Sequence, residues 1–212
     1  MAVKESYLTI MDPVEVEMVE KRSKFLGHMI HVKSRQEAES FISAIRSEYK
    51  DATNNVPAYS IYKSGVMYCS DDGEPHGTAG KPILEVLKRE RIYDVCVVVT
   101  RYFGGVLLGT GGLVGAYSSV CKKLLKNAVI AKCLLCARVK IFVEYGEFSK
   151  LQHLIESFDA RIVEKSFSDK VELELLIDVE NKGKFEKLLS ERTSGGVKIE
   201  NIGEAWERIK KL

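Results

Sequence analysis

No apolar run in the chain approaches the roughly 18–20 residues that a membrane-spanning helix requires. Candidate runs such as Val95–Val99 and Val106–Leu108 are strand-sized. Charge of one sign is equally lacking: 32 Lys and Arg face 30 Asp and Glu, a net +2. That balance argues against a dedicated high-affinity nucleic-acid binder, which carries a clearly basic domain, while a local basic patch remains allowed. The start, Met1-Ala2-Val3-Lys4-Glu5-Ser6, lacks a basic segment followed by an apolar stretch and so does not read as an export signal. Five cysteines (Cys69, Cys96, Cys121, Cys133 and Cys136) make an odd number. Together with the absent signal they suggest a reducing compartment, the cytoplasm, with thiols that act as small core hydrophobes. Cys133 and Cys136 have the C-x-x-C spacing, but no second pair completes a zinc site, and in an extended strand the two face opposite ways.

What is present suits an α+β protein of two domains, since 212 residues are long for one compact core. Short β-prone runs from Tyr7 to Val19 are broken at Asp12-Pro13, and Ser23–Val32 reads as a strand. Ser34 with Glu37 forms a capping box before a helical stripe of Ala38, Phe41, Ile42 and Ile45. Asp51–Pro57 is expected to be a loop, and Ala58–Tyr62 and Val66–Cys69 a hairpin about Lys63-Ser64-Gly65. Thr78 is expected to cap a helix carrying Ile83, Leu84 and Leu87. Val95–Thr100 is a buried strand, and a further helix is expected from about Leu113 to Asn127. The remainder reads as strand Leu134–Val143, helix Glu147–Phe158, strands Ala160–Phe167 and Val171–Val179, a helix carrying Phe185, Leu188 and Leu189, a break at Gly195-Gly196, and strand Val197–Gly203. That order, β-α-β-β-α-β, is the ferredoxin-like one. The boundary is expected near Lys132–Ala137, giving domains 1–132 and 137–212.

Two glycine-rich segments stand out. The first, Ser70-Asp71-Asp72-Gly73-Glu74-Pro75-His76-Gly77, sets three carboxylates within four residues. Its spacing does not match a calcium loop, and Asp in glycine-rich turns usually bonds its own backbone, so no metal is expected. Cys69 and His76 lie seven residues apart, yet no third group orients them as nucleophile and base. The second segment runs from Arg101-Tyr102-Phe103 through Gly104-Gly105 to Gly109-Thr110-Gly111-Gly112. Five glycines between a buried strand and a helix either serve close packing or leave backbone N–H groups free to meet an anion. It is not a Walker loop, since no Lys-Ser/Thr pair follows, and it fits the dinucleotide fingerprint poorly. Arg101 could grip the same anion, and Tyr102 and Phe103 could stack bases. Lys88, Arg89 and Arg91, and again Lys122, Lys123 and Lys126, read as solvated helix faces.

These segments, Ser70 to Leu84 and Val97 to Tyr117, closely resemble the YigZ/IMPACT family, with Glu20–Phe25 and the Asp51-Ala52 region similar to its earlier blocks. The resemblance covers roughly residues 15–125. It implies a first domain with the fold of the second domain of ribosomal protein S-five, seen also in translocating elongation factors. It also implies a ferredoxin-like second domain resembling one at the end of those factors. A tie to translation is implied as well, since eukaryotic relatives regulate a starvation-sensing kinase by binding its activator. Many members carry a histidine where this chain has Asn54, and the eukaryotic partner-binding domain is absent.

The expected function is therefore a non-enzymatic protein that contacts ribosome, RNA or a translation factor. The residues expected to bind are Asp71, Asp72, Glu74, Arg101, Tyr102, Gly104, Gly105, Gly109, Thr110, Gly111 and Gly112. No catalytic residue, cofactor or metal is expected. The alternative is a peptidase- or phosphate-ester-type hydrolase using Asp71, Asp72, Glu74 or His76.

Overall fold

The computed structural model describes residues 6–193 and 196–210. It is mixed α+β, built on two antiparallel sheets, and it divides into two compact units. Of the described residues, the first comprises Tyr7–Lys132 together with Arg208–Lys210, and the second Cys133–Glu207 together with Ser6. The division falls between Lys132 and Cys133, inside one continuous strand, so no linker loop separates the units at the expected place. No glycine or proline interrupts the chain at that point.

The first unit opens with β1 (Ser6–Ile10), β2 (Val14–Glu20) and β3 (Ser23–His31), followed by helix α1 (Arg35–Glu48). Ser34 caps α1 by accepting from Glu37 N–H at 3.2 Å, while Glu37 reaches one residue further back than a standard box and accepts from Lys33 N–H. Then come β4 (Asn54–Ser60), β5 (Met67–Cys69), α2 (Gly80–Glu90), β6 (Val95–Tyr102) and α3 (Gly109–Asn127). The sheet order is β2-β3-β6-β4-β5. Its central strand β6 is buried on both faces, which accounts for an unbroken apolar run instead of an alternating one. Val95, Val97 and Val99 pack with α2 and α3, while Cys96 and Val98 pack with Ala38, Ile42 and Ile45 of α1.

Two expectations are corrected here. Asn54–Pro57 is strand, not loop. The Pro57 carbonyl accepts from Ser70 N–H, so its imide nitrogen also faces away from β6 and the missing N–H costs no bond to the central strand. Helix α3 begins at Gly109, so Gly109, Thr110, Gly111 and Gly112 form its first turn and are not a loop ahead of it.

The second unit continues with β7 (Ile130–Val143), α4 (Tyr145–Ser157), β8 (Arg161–Phe167), β9 (Val171–Asp178), α5 (Val179–Arg192) and β10 (Lys198–Lys210). Strand β9 lies between β7 and β8, and β1 and β10 each pair with β7. Alternate residues of β7 and β9 (Val139, Ile141, Val143, Leu173 and Leu175) meet Leu151, Leu154, Phe185 and Leu189 of the two helices. Leu188, expected in that stripe, is exposed: only 185 and 189, four apart, share the buried face. Helix α5 ends at Arg192, and the Gly195 half of the expected break lies outside the described residues. Strand β10 runs well past the expected end at Gly203.

Candidate functional site

The segment between β5 and α2 is held by its own carboxylates. Asp71 accepts from the N–H groups of Gly77, Ala79 and Gly80 at 2.7, 3.1 and 2.9 Å, which caps the start of α2 from nine residues away. Burial alone would raise this carboxyl, but the three N–H bonds and nearby His76 outweigh it and hold Asp71 below the ordinary range. Thr78, expected to be the cap, instead donates its hydroxyl to Pro75 O, and Ala79 holds the cap position without a side-chain bond. Asp72 bonds Arg46 Nη2 at 2.5 Å and Asn55 N–H at 2.7 Å, and its carbonyl accepts from Asn54 Nδ2. Asn54 thus ties this loop to β4.

Glu74 turns inward. Its Oε1 accepts from Arg101 Nη1 and from the Tyr117 hydroxyl, each at 2.7 Å. The Arg101 and Glu74 side chains are only 7% and 5% exposed. Arg101 also reaches Ser23 Oγ at 3.4 Å, and its guanidinium lies 5.5 Å from the Phe103 ring. Its Nε is buried without a partner. Arg101 is therefore not an exposed anion grip, and that expectation is corrected: its charge is spent on Glu74 inside the fold. Burial, then the bond to Glu74, pushes the Tyr117 phenol far above its usual value, so it stays protonated and donates. Tyr102 bonds Asp51 across the surface at 3.0 Å.

The carboxylates proposed for hydrolysis are thus each engaged in structural bonds. His76 is fully exposed and lies 3.9 Å from Asp71. Burial, with the Asp71 charge, raises the Cys69 thiol, opposite to the activation a nucleophile needs. Among the described residues, no group of three or more His, Cys, Asp or Glu side chains is placed to hold a metal ion.

The second segment divides differently. Gly104 is architectural: a Cβ there would sit 2.0 Å from the carbonyl oxygen of Arg22, and its N–H donates to Ser23 Oγ. Gly109, with φ near +74°, permits the turn into α3. A Cβ on Gly112 would press on Leu108 at 3.0 Å. Gly111, by contrast, faces open space, as does Gly115 one turn on. No side chain caps α3, and exposed around its start are Phe103, Val106, Leu107 and Val114, with Leu107 82% exposed. The basic residues lie elsewhere and partly paired: Lys88 meets Glu85, and Lys123 donates to Glu17 O. Lys122 and Lys126 border a groove of about 420 Å³ floored by Leu8, Ile92, Leu125 and Ile130.

Sequence reasoning missed Arg46, Asn55, Ser23 and Tyr117 as partners of the carboxylate loop. Asn54-Asn55 before a valine was one available signal, being polar residues in an otherwise strand-like stretch.

Fold and site define a two-unit α+β protein with an interlocked carboxylate loop beside an exposed glycine-rich helix start. The Impact N-terminal domain matches residues 21–125, and a domain of unknown function, DUF1949, matches residues 141–195. IMPACT family member YvyE of Bacillus subtilis is 36% identical over 191 residues, covering 90% of this chain and 88% of that protein. An IMPACT family member from Haemophilus influenzae is 34% identical over 203 residues, covering 93% and 98%. A crystal structure described as that of an hypothetical protein superposes with a TM-score of 0.62 at 30% identity, covering 94% of this chain and 98% of that one. The chain belongs to the YigZ/IMPACT family. Protein IMPACT of Bos taurus is similar over 100 residues only, 31% of its length. No helix among the described residues is long and apolar enough to cross a membrane.

Proposed function

We propose that this is a non-enzymatic, regulatory binding protein of the translation apparatus, acting in the cytoplasm through the glycine-rich start of α3. One observation carries the reading. Glu74 of one motif is buried against Arg101 and Tyr117 of the other, while Val106, Leu107, Gly111 and Val114 face outward. A surface of this kind is built for contact, since buried polar groups fix its shape and exposed apolar ones supply the affinity. In this reading the first domain, 1–132, has the fold of the second domain of ribosomal protein S-five. The second, 137–212, is ferredoxin-like, which the pairing of β9 with both β7 and β8, and of β10 with β7, supports. Both folds occur in elongation factors, and that likeness supports a partner on the ribosome, whether protein or RNA. Co-sedimentation of the purified chain with ribosomal particles over a salt series tests the reading. Loss of the chain from the pellet in Leu107→Ser, with an unchanged melting curve, is the expected result. Equal pelleting of wild type and variant would end it.

A further inference from the structure

The exposed face at the start of α3 carries information about its partner's chemistry. Its side chains are aliphatic, with Leu107 82% exposed and Val106 and Val114 38% and 39% exposed, and only Phe103 offers a ring. Aliphatic side chains do not stack bases, and the arginine that would meet a phosphate, Arg101, is consumed by Glu74. On α3, Gly111, Val114, Gly115 and Ser118 follow one another on the solvent side at three- and four-residue spacing, and neither glycine has an atom within 4 Å of a would-be Cβ. A glycine inside a 19-residue helix weakens it relative to alanine, so Gly115 and its neighbour lower stability with no packing return inside the fold. The return is access: a second chain can lie against bare helix backbone, flanked by leucine and valine.

Charge narrows the partner further. The turn Lys21-Arg22 touches this face, because the Arg22 carbonyl is the atom that blocks a side chain at Gly104. Both residues are exposed, and neither forms an ion pair among the described residues. Glu20 ends the preceding strand, so the turn retains one positive charge overall. No side chain caps the start of α3, where the leading N–H groups form the positive end of the helix dipole. From Val95 through Val143 the chain holds no acidic residue at all.

We propose that this face docks an acidic protein segment, one that seats an aliphatic side chain against Leu107 and Val114 and sets carboxylates against Lys21, Arg22 and the start of α3. The inference rests on the proposed contact role of this face and names its partner class. The test uses the full chain and three labelled probes: an amphipathic peptide of leucine on one face and glutamate on the other, the same peptide with serine for leucine, and a 20-nucleotide uridine RNA. The leucine peptide is expected to bind with an affinity that falls as salt rises. Leu107→Ser should weaken it by about tenfold, the scale of one buried aliphatic side chain. Arg22→Ser should weaken it about threefold and flatten the salt dependence. Gly111→Leu should abolish binding without lowering the melting temperature. The serine peptide and the RNA should bind at least about tenfold more weakly, without responding to Leu107→Ser. RNA binding tighter than peptide binding, sensitive to Arg22→Ser but not to Leu107→Ser, would overturn the acidic-segment inference and leave the contact role standing. Indifference of all three probes to Leu107→Ser, with unchanged pelleting on ribosomal particles, would overturn both.

Discussion

Replacing Arg101 with alanine should destabilise, not disarm, the first unit. The Arg101–Glu74 pair is 93–95% buried by side chain, and Glu74 has two donors on one oxygen, Arg101 Nη1 and Tyr117 Oη. Arg101→Ala leaves the carboxylate in the interior with the tyrosine alone. Breaking a buried pair from one side costs about 3–5 kcal/mol, a large share of the 5–15 kcal/mol typical of a whole domain. For a unit of this size the melting temperature should fall by roughly 10–15 °C. Circular dichroism is the right probe, because the one tryptophan, Trp206, belongs to the second unit and its fluorescence reports there. A double replacement, Arg101→Met with Glu74→Leu, should cost less than either single change, since no charge is then left alone. A melting temperature within about 2 °C of wild type for Arg101→Ala, a shift worth under 1 kcal/mol, would refute the buried-pair account. Coupled to lost pelleting on ribosomal particles, it would restore Arg101 as a contact residue.

Gly115→Ala should raise stability by up to about 1 kcal/mol in urea denaturation, because the position is mid-helix, has no positive φ and opens to solvent. Asp71 has a folded pKa below its unfolded value, so its contribution is present above about pH 4 and lost as pH falls through the folded pKa. Asp71→Asn should therefore lower stability at pH 7 and flatten the acid limb of a stability–pH profile. Burial pushes the Cys121 and Cys136 thiols up to about 12 and about 11. With Cys96 also buried and raised, a native thiol titration at pH 8 should show fast reaction at no more than Cys69. A fragment of residues 1–132 should melt cooperatively if the first unit is self-sufficient, and a flat melt of the soluble fragment would argue otherwise.

Much of the framework was legible because period and caps are local signals. The Ser34–Glu37 cap, the stripe of α1 and the doubly buried β6 follow from neighbours in sequence. What was not legible depended on distant partners. Pro57 suggested a loop until the sheet showed its nitrogen turned away from β6. Thr78 looked like the cap of α2 because it sits beside the helix, whereas the group that reaches the N–H groups is Asp71. Arg101 looked like an anion grip because the residue that neutralises it is far off in sequence. Glu74 is 27 residues earlier, and only the packing of the carboxylate loop on β6 and α3 joins them.

The same comparison explains why glycine density was a poor guide to contact until each glycine was placed. Gly104 and Gly111 belong to one motif and look equivalent in sequence. A side chain at Gly104 would strike the backbone of the β2–β3 turn, so that glycine is fixed by the fold. At Gly111 nothing within 4 Å resists a side chain, so the fold leaves the position free. The two substitutions should therefore separate cleanly. Gly104→Ala should destabilise the first unit by several kcal/mol at about 2 Å from a carbonyl oxygen, beyond ordinary overpacking costs of 1–3 kcal/mol. Gly111→Ala should hold or slightly raise the melting temperature while weakening attachment to ribosomal particles. If Gly111→Ala pellets as wild type does, and a leucine at the same position does too, the open backbone at the start of α3 is not where the partner sits.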